Sequence, residues 1–315
     1  MINKEILAAG TRGSALALAQ TQSVIDILHR KNKGLSIKTQ VIKTSGDDLY
    51  RKRNSRLTGK DSFTREIDLA LIKGEIDFAV HSLKDVPVEK TGSRIRSNKK
   101  LEIAAFPKRE SPYDVLISKN GKTKLEDLRE NARVGTSSLR RGIQLKLFRP
   151  DFEIVEIHGN VPTRIKKMRE NEDLDAIVLA EAGLKRLNIE YEFVEVISSK
   201  VMLSAVGQGC LAVMVRSNDY STKQTMKSID NETTRLCVTA ERAFSKELGG
   251  GCNTPIAALA RMNGTNIKLE GLIAGESNSA IKANFVIRNE IEGKAEHAKI
   301  LGRKLARNLK AMLAK

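Results

Sequence analysis

The stretch IKGEIDFAVHS at residues 72–82 combines the end of a helix, an acidic residue and a short apolar strand, and its recurrence decides the fold. NEDLDAIVLAE at residues 171–181 has the same pattern. Upstream of each, GTRGSALALAQ at residues 10–20 and GTSSLRRGIQL at residues 135–145 join a Gly-Thr turn to a helix. Alternating strands and helices are typical of doubly wound sheets with parallel strands. The sequence therefore predicts two α/β domains of one βαβαβ architecture.

Capping residues and one long irregular stretch mark the ends of these elements. Ser14 and Asn160 precede predicted helices, where their side chains can accept hydrogen bonds from free backbone N–H groups, and Pro162 suits a first helical turn. Residues 44–62 are polar and basic and have no period. A loop of this length inside a compact domain is usually a functional lid or disordered. A further helix is predicted from Phe63.

The last part of the chain has a different pattern. A helix is predicted from Asp230, and Asn263-Gly264 between two apolar runs is a strong hairpin signal. Residues 294–315 form an amphipathic helix with a basic face, which suits packing on a small antiparallel sheet better than binding to a membrane surface or a calmodulin-like partner. Its predicted apolar face holds Leu301, Leu305, Leu309, Met312 and Leu313. We expect three domains, at residues 1–97 with 200–217, at 98–199, and a small C-terminal α+β domain at 218–315.

The composition indicates an anionic ligand. The 315 residues carry 55 Lys and Arg against 38 Asp and Glu, a formal net charge of +17, although a solvated Lys-rich surface would have the same composition. Aromatic residues make up 4% and Trp is absent, which leaves few platforms for stacking nucleic-acid bases. No apolar run reaches the length of a membrane span, and the N-terminus lacks the apolar core of a secretory signal. We therefore expect a cytoplasmic protein that binds neither a membrane nor nucleic acid.

Two residues are candidates for chemistry. Cys210, Cys237 and Cys252 are widely spaced and odd in number, which argues against a disulfide framework or a zinc site, so no metal is expected. Cys210 leads an apolar strand and Cys237 lies on an apolar helix face, whereas Cys252 follows three glycines in a loop and is the cysteine expected to react. Asp85, beside Lys84 after an apolar strand, is a candidate acid, base or stabiliser of a cation, although a single Asp in such a turn is more often structural.

Arginines at strand–helix junctions point to a ligand with several carboxylates. Arg140 and Arg141 lie in the first turn of a predicted helix, where each cation opposes the helix dipole at a cost of about 0.3–1 kcal/mol. Arg12 and Arg164 occupy comparable positions. A guanidinium group pairs with a carboxylate through two hydrogen bonds, so a polycarboxylate ligand would explain this placement better than ordinary surface arginines would.

Eight strings occur in order along the chain: GTRGSALAL, DFAVHSLKDVPVE, VGTSSLRRGIQL, GNVPTRIKKM, AGLKRL, AVGQG, VTAERAF and GGGCNTPIA. Through them the chain resembles the porphobilinogen deaminase (hydroxymethylbilane synthase) family from end to end. The resemblance implies two doubly wound domains like those of periplasmic binding proteins, followed by a small third domain. It also implies an enzyme that joins four porphobilinogen molecules head to tail and releases ammonia each time. We expect this enzyme to be a monomer. A dipyrromethane cofactor, attached as a thioether to a cysteine of the third domain, would prime the growing polypyrrole.

The same resemblance assigns roles residue by residue. The cysteine that carries the cofactor matches Cys252, and the catalytic carboxylate matches Asp85, beside Lys84. Residues that match the family's cofactor-binding positions are Ser82, Lys84, Asp85, Thr136, Ser138, Arg140, Arg141 and Arg164. Residues that match its substrate-binding positions are Arg12, Ser14, Gln20, Phe63, His158, Arg164, Arg186 and Gln208.

Two positions depart from the family pattern. His158 stands before Gly159-Asn160 where the family usually has Arg, so a carboxylate contact there would depend on protonation of the imidazole. The lid ends Gly-Lys-Asp-Ser-Phe where the family often has Gly-Lys-Gly-Leu-Phe.

The competing hypotheses are a module that captures an anionic metabolite without chemistry and a basic nucleic-acid binder. The first would have no use for a cysteine after three glycines, and the second lacks aromatic residues and a recognised motif.

Overall fold

The structure is a computed structural model that describes residues 6–44, 64–88, 100–191, 194–249, 255–276 and 283–313. The chain divides into two compact units: residues 1–109 with 210–236, and residues 110–209 with 237–315. Cys252, Phe63 and nearly all of the predicted lid lie outside the described residues. No helix of the described ranges is long and apolar enough to cross a membrane.

The first unit is built on a five-stranded sheet in the order β2-β1-β3-β10-β4. Its strands are β1 (Ile6–Thr11), β2 (Ser36–Val41), β3 (Phe78–Ser82), β4 (Leu101–Ala105) and β10 (Leu211–Arg216). Its helices are α1 (Ala15–Lys31), α2 (Arg65–Lys73) and α6 (Tyr220–Lys227). Ser14 caps α1 as predicted, since its side chain accepts from the backbone N–H of Ala17. The core includes Val24 and Leu28 of α1 packed with Phe78 and Val213 of the sheet.

The second unit contains a sheet of the same design, in the order β7-β6-β8-β5-β9. Its strands are β5 (Asp114–Ser118), β6 (Arg133–Gly135), β7 (Glu153–Val155), β8 (Ala176–Ala180) and β9 (Glu195–Val196). Its helices are α3 (Leu139–Phe148), α4 (Val161–Glu170) and α5 (Glu181–Arg186). The side chains of Ser138 and Asn160 cap α3 and α4. The predicted repeat of one α/β architecture is confirmed.

Both sheets are mixed rather than wholly parallel. β1, β2 and β3 run parallel, and β6, β7 and β8 do likewise. The fourth strand of each sheet is antiparallel to its neighbours, β10 in the first sheet and β5 in the second. The expectation of parallel sheets was wrong for these strands. β10 and β5 each follow a passage of the chain from one sheet to the other. A strand–helix–strand crossover, which would make a strand parallel to its predecessor, does not precede them, and they run antiparallel to their neighbours.

The second unit also holds an antiparallel sheet in the order β11-β12-β13 with two helices. These elements are α7 (Glu232–Glu247, whose first turns belong to the first unit), β11 (Ile256–Asn263), β12 (Asn266–Glu276), β13 (Ala283–Lys294) and α8 (Ala298–Leu313). Leu301 and Leu305 of α8 lie against glycines of β13 and β12, so the basic amphipathic helix packs on a sheet as predicted. Met312 departs from the predicted apolar face, because it lies in the last turn and is 47% exposed.

The boundary between the first two expected domains differs from the observed sheet. β4 pairs with β10 in the first sheet, although the sequence placed residues 98–199 together in a second domain. β4 therefore completes the first sheet before the chain enters the second. The division into three domains stays a prediction.

Candidate active site

The first unit places four predicted site residues at one edge of its sheet. β1 and β3 are parallel neighbours, so the residues that follow them lie at the same edge. Arg12 and Ser14 follow β1, and Ser82 ends β3. Gln20 of α1 is buried, and its Nε2 donates to Ser82 Oγ at 2.8 Å. This hydrogen bond connects α1 to the end of β3, and the turn that contains Asp85 follows directly after β3.

Asp85 ends a single turn of 3-10 helix, Leu83–Asp85, directly after β3. The turn is anchored by Leu83, which is buried and whose N–H donates to the carbonyl of Cys210 at 3.0 Å. Val86 is also buried, and its N–H donates to the Leu83 carbonyl at 3.1 Å. Lys84 is half-buried and Asp85 is exposed. The Asp85 carboxylate is therefore accessible to a ligand, and backbone hydrogen bonds before and after it hold the turn that carries it.

The second unit repeats this arrangement of turns and helix N-termini. Thr136 N–H donates to the Val155 carbonyl at 2.8 Å, which joins the turn after β6 to β7. The Ser138 N–H donates to Thr136 Oγ1 at 3.2 Å, and Ser138 caps α3. Neither α3 nor α4 has an acidic residue in its first turn. Both helix N-termini are therefore suited to an anion.

Arg140 and Arg141 form hydrogen bonds with Asp114, a residue that the sequence patterns did not single out. Both are buried, and both bind Asp114 at the start of β5, which is also buried. Arg140 Nη2 donates to Asp114 Oδ2 at 2.8 Å, and Arg141 Nε and Nη2 donate to Oδ1 at 3.1 and 2.7 Å. An acid at the start of a strand, followed by the apolar residues 115–117, was the signal available, because such a residue requires a buried partner.

Two more predicted residues lie near this cluster. Gln208 is buried, and its Nε2 donates to the Pro112 carbonyl at 2.7 Å and to Asp114 Oδ1 at 3.0 Å. Arg186, at the end of α5, donates from Nη2 to the Gly209 carbonyl at 2.6 Å. Three residues expected to contact a ligand, Arg140, Arg141 and Gln208, therefore converge on one carboxylate.

His158 lies in the segment before α4, and Arg164 lies in the first turn of that helix. Arg164 is half-buried, and its Nε donates to the Gly159 carbonyl at 2.7 Å. His158 Nε2 lies 2.9 Å from Glu156 Oε1, and its Nδ1 lies 3.4 Å from Ser137 Oγ. The residue in place of the family's usual Arg thus has an acidic neighbour of its own. Its predicted contact with a ligand carboxylate stays a prediction.

The described cysteines are not exposed. Cys210 and Cys237 are 1% and 5% exposed, as expected for core residues, and Cys252 and Phe63 lie outside the described residues. Within the described ranges, no group of three or more His, Cys, Asp or Glu is placed to hold a metal ion.

The chain is an α/β protein whose two doubly wound sheets end in turns lined by hydroxyl and guanidinium groups. Turns of this kind, next to helix N-termini, are typical of proteins that accommodate an anionic ligand.

Comparisons with known proteins give the family. A family model described as "Porphobilinogen deaminase, dipyromethane cofactor binding domain" matches residues 7–224, and "Porphobilinogen deaminase, C-terminal domain" matches residues 235–311. The porphobilinogen deaminase of Syntrophus aciditrophicus is 41% identical over 300 residues, covering 95% of this chain and 94% of that protein. That of Fusobacterium nucleatum is 45% identical over 275 residues, covering 87% and 89%. The chain belongs to the porphobilinogen deaminase family and is an enzyme of the transferase class in tetrapyrrole biosynthesis.

A solved structure similar to this chain is substrate binding domain 2 of Lactococcus lactis GlnP in its open conformation. The identity is 10% and the TM-score 0.42, covering 79% of this chain and 93% of that one. A likeness at this level carries no argument about ligand or activity.

Proposed function

We propose that the chain joins four porphobilinogen molecules head to tail into the linear tetrapyrrole hydroxymethylbilane, releasing ammonia at each step, from a dipyrromethane cofactor bound to Cys252 as a thioether. The observation that carries the proposal is the match of both family models, which together span residues 7–224 and 235–311. The turns of both sheets support it, because they combine hydroxyl and guanidinium donors at the carboxyl ends of parallel strands.

The donors present fit a dipyrromethane group. Each of its pyrroles carries carboxylate side chains, which need hydrogen-bond donors and positive charge. Thr136 and Ser138 supply hydroxyls, and Arg164 supplies a guanidinium at the start of α4, where no acidic residue competes. When bound, the group supplies the terminal pyrrole to which the first substrate is joined. Because Cys210 and Cys237 are buried, we assign the anchor to Cys252.

Asp85 is proposed as the catalytic carboxylate. When the C–N bond of porphobilinogen breaks and ammonia leaves, the carbon that held it becomes electron-poor, and positive charge spreads over the pyrrole. An ionised carboxylate in a preorganised position stabilises that charge. Ammonia must depart with a proton, and the attacking pyrrole must lose one, so a carboxylate can transfer a proton in both steps. The exposed side chain on an anchored backbone turn suits these roles.

The arginines are proposed to share the carboxylates of the cofactor and of the growing polypyrrole. Each charged hydrogen bond contributes about 1.5–3 kcal/mol, so several arginines are needed as carboxylates accumulate. The arginines proposed for this role are Arg12, Arg140, Arg141, Arg164 and Arg186. We further propose that the enzyme works in the cytoplasm as a monomer, with porphobilinogen as its small-molecule partner.

Replacing Asp85 by Asn tests this assignment. The amide keeps the shape of the side chain but cannot offset positive charge, so we expect turnover of porphobilinogen to fall by about a hundredfold or more. The covalent pyrrole adduct should remain, as seen by intact-protein mass. The matched control is Asp26→Asn, since Asp26 is an exposed aspartate on α1 that accepts from Gln22. Turnover of Asp85→Asn within about threefold of the parent would reject the catalytic role.

A further inference from the structure

Asp114 is held rigidly by the sheet. β5 pairs with β8 on one side and with β9 on the other, and Asp114 lies opposite Ala180 of β8. The Asp114 carbonyl also accepts from the Ile197 N–H at 2.9 Å. Its carboxylate therefore projects from a backbone that is fixed on both edges.

Each arginine bound by Asp114 has a second point of attachment. Arg140 Nη1 donates to the Leu203 carbonyl at 2.6 Å, and Arg141 Nη1 donates to the Val178 carbonyl at 3.0 Å. A guanidinium has five N–H groups in a rigid plane. Two attachments in that plane determine its direction, so the N–H groups that remain have a defined orientation as well.

The cluster contains two cations and one anion. Arg140 and Arg141 are 8% and 6% exposed, and Asp114 is 0% exposed. Burial raises the pKa of Asp114, but the charges of Arg140 and Arg141 outweigh it and hold that pKa at about 2, so the carboxylate is ionised at neutral pH. Burial lowers the pKa of Arg140, and the Asp114 charge opposes this. One positive charge is left over in a buried position, where charge is costly unless an anion joins it.

We propose that Asp114 is the positioning residue of the proposed dipyrromethane site: it fixes both guanidinium groups and leaves one surplus positive charge for a ligand carboxylate. The inference rests on the proposed function, because that function supplies the carboxylate. Asp114 acts through Arg140 and Arg141 and touches no reacting atom. Without it, two like charges would repel each other and neither guanidinium would keep its direction.

The chain offers a matched control. Glu270 of β12 is likewise a carboxylate that accepts from two arginines, Arg261 and Arg288, and none of the three is a predicted site residue. Asp114→Asn and Glu270→Gln therefore make the same chemical change in the proposed site and away from it. For each variant, purified as produced, four quantities are measured: the thermal midpoint, the fraction carrying the pyrrole adduct by intact mass, and kcat and KM for porphobilinogen.

Both variants are expected to lose stability, but only one should lose the cofactor. At a temperature where both are folded, Asp114→Asn should fall below about half occupancy and lose about tenfold or more in turnover, because the carboxylate-binding groups are misplaced. Glu270→Gln should stay within about threefold of the parent in turnover, with full occupancy. Equal occupancy and turnover in the two variants would overturn the proposal. A parent that carries no adduct and consumes no porphobilinogen would overturn the proposed function, and this inference with it.

A second variant covers the case in which Asp114→Asn does not fold. Adding Arg141→Gln removes the repulsion between the two cations and restores a cluster charge of +1. The double variant should fold and still have low adduct occupancy, because Arg140 has lost the carboxylate that orients it. Occupancy equal to that of the parent in this variant would overturn the proposal.

Discussion

Replacing Gly209 by alanine perturbs the backbone that supports Arg186. Gly209 has a φ of +83°, in the left-handed region that L-residues rarely adopt. A Cβ placed there would lie 2.3 Å from the Glu110 carbonyl oxygen and 2.6 Å from that of Ser111. To restore a 3.0 Å contact with the first oxygen, the backbone must move by about 0.7 Å. The Gly209 carbonyl accepts from Arg186 and from the Glu110 N–H, so such a shift reaches both groups.

The expected loss of stability has two parts. The left-handed backbone costs alanine about 1–2 kcal/mol, and forcing a side chain into filled space costs about 1–3 kcal/mol more. Gly34→Ala separates them, because Gly34 has a φ of +85° and nothing within 4 Å of its Cβ position. We expect urea unfolding to show the first part in both variants and the second in Gly209→Ala alone. Equal losses in the two variants would refute the reasoning.

Two further predictions concern charge. His158→Arg places a permanent cation where the family usually has Arg, so it should lower the KM for porphobilinogen at neutral pH; an unchanged KM would mean that residue 158 makes no charged contact with the substrate. The pKa of Asp114 is lowered from 3.8 to about 2, so its ion pairs contribute stability at higher pH that is lost as the pH falls through about 2. The free energy of unfolding should fall by about 2 kcal/mol more in the parent than in Asp114→Asn between pH 5 and 2, and parallel acid limbs in urea would contradict this.

Local signals were sufficient for most helices and strands. The caps at Ser14 and Asn160 are confirmed because an N-cap depends only on a side chain and the next turn of backbone. The hairpin is confirmed as well, although Asn263 pairs with Asn266, so that Gly264-Thr265 is the turn. A hairpin signal predicts two paired strands more reliably than the exact residues between them.

Strand direction depended on contacts distant in sequence. β5 and β10 are apolar runs, and an apolar run is compatible with either direction. Their antiparallel placement follows from chain crossings between the two sheets, which no local pattern records. The same limit applied to β4, which the sequence grouped with the wrong sheet.

The positions of the candidate site residues could be predicted where they follow strand ends, and their contacts were missed where they are buried. Gln20 and Ser82 were predicted as site residues, and the structure joins them by a hydrogen bond. Arg140 and Arg141 were predicted as ligand-binding residues, but their attachment to Asp114 was missed. A single Asp at the start of a largely apolar strand belongs to no motif, and its partners lie 26 and 27 positions away in the sequence.

The central claim is tested most directly by the intact mass of the denatured parent and of Cys252→Ser. The parent should exceed its sequence mass by a two-pyrrole adduct, and addition of porphobilinogen should produce heavier species that differ by single pyrrole units. Cys252→Ser should fold, as judged by circular dichroism, and show the sequence mass alone. A parent at its sequence mass after expression with porphobilinogen available would contradict the account. An adduct retained on Cys252→Ser would contradict the anchor and point to Cys210 or Cys237.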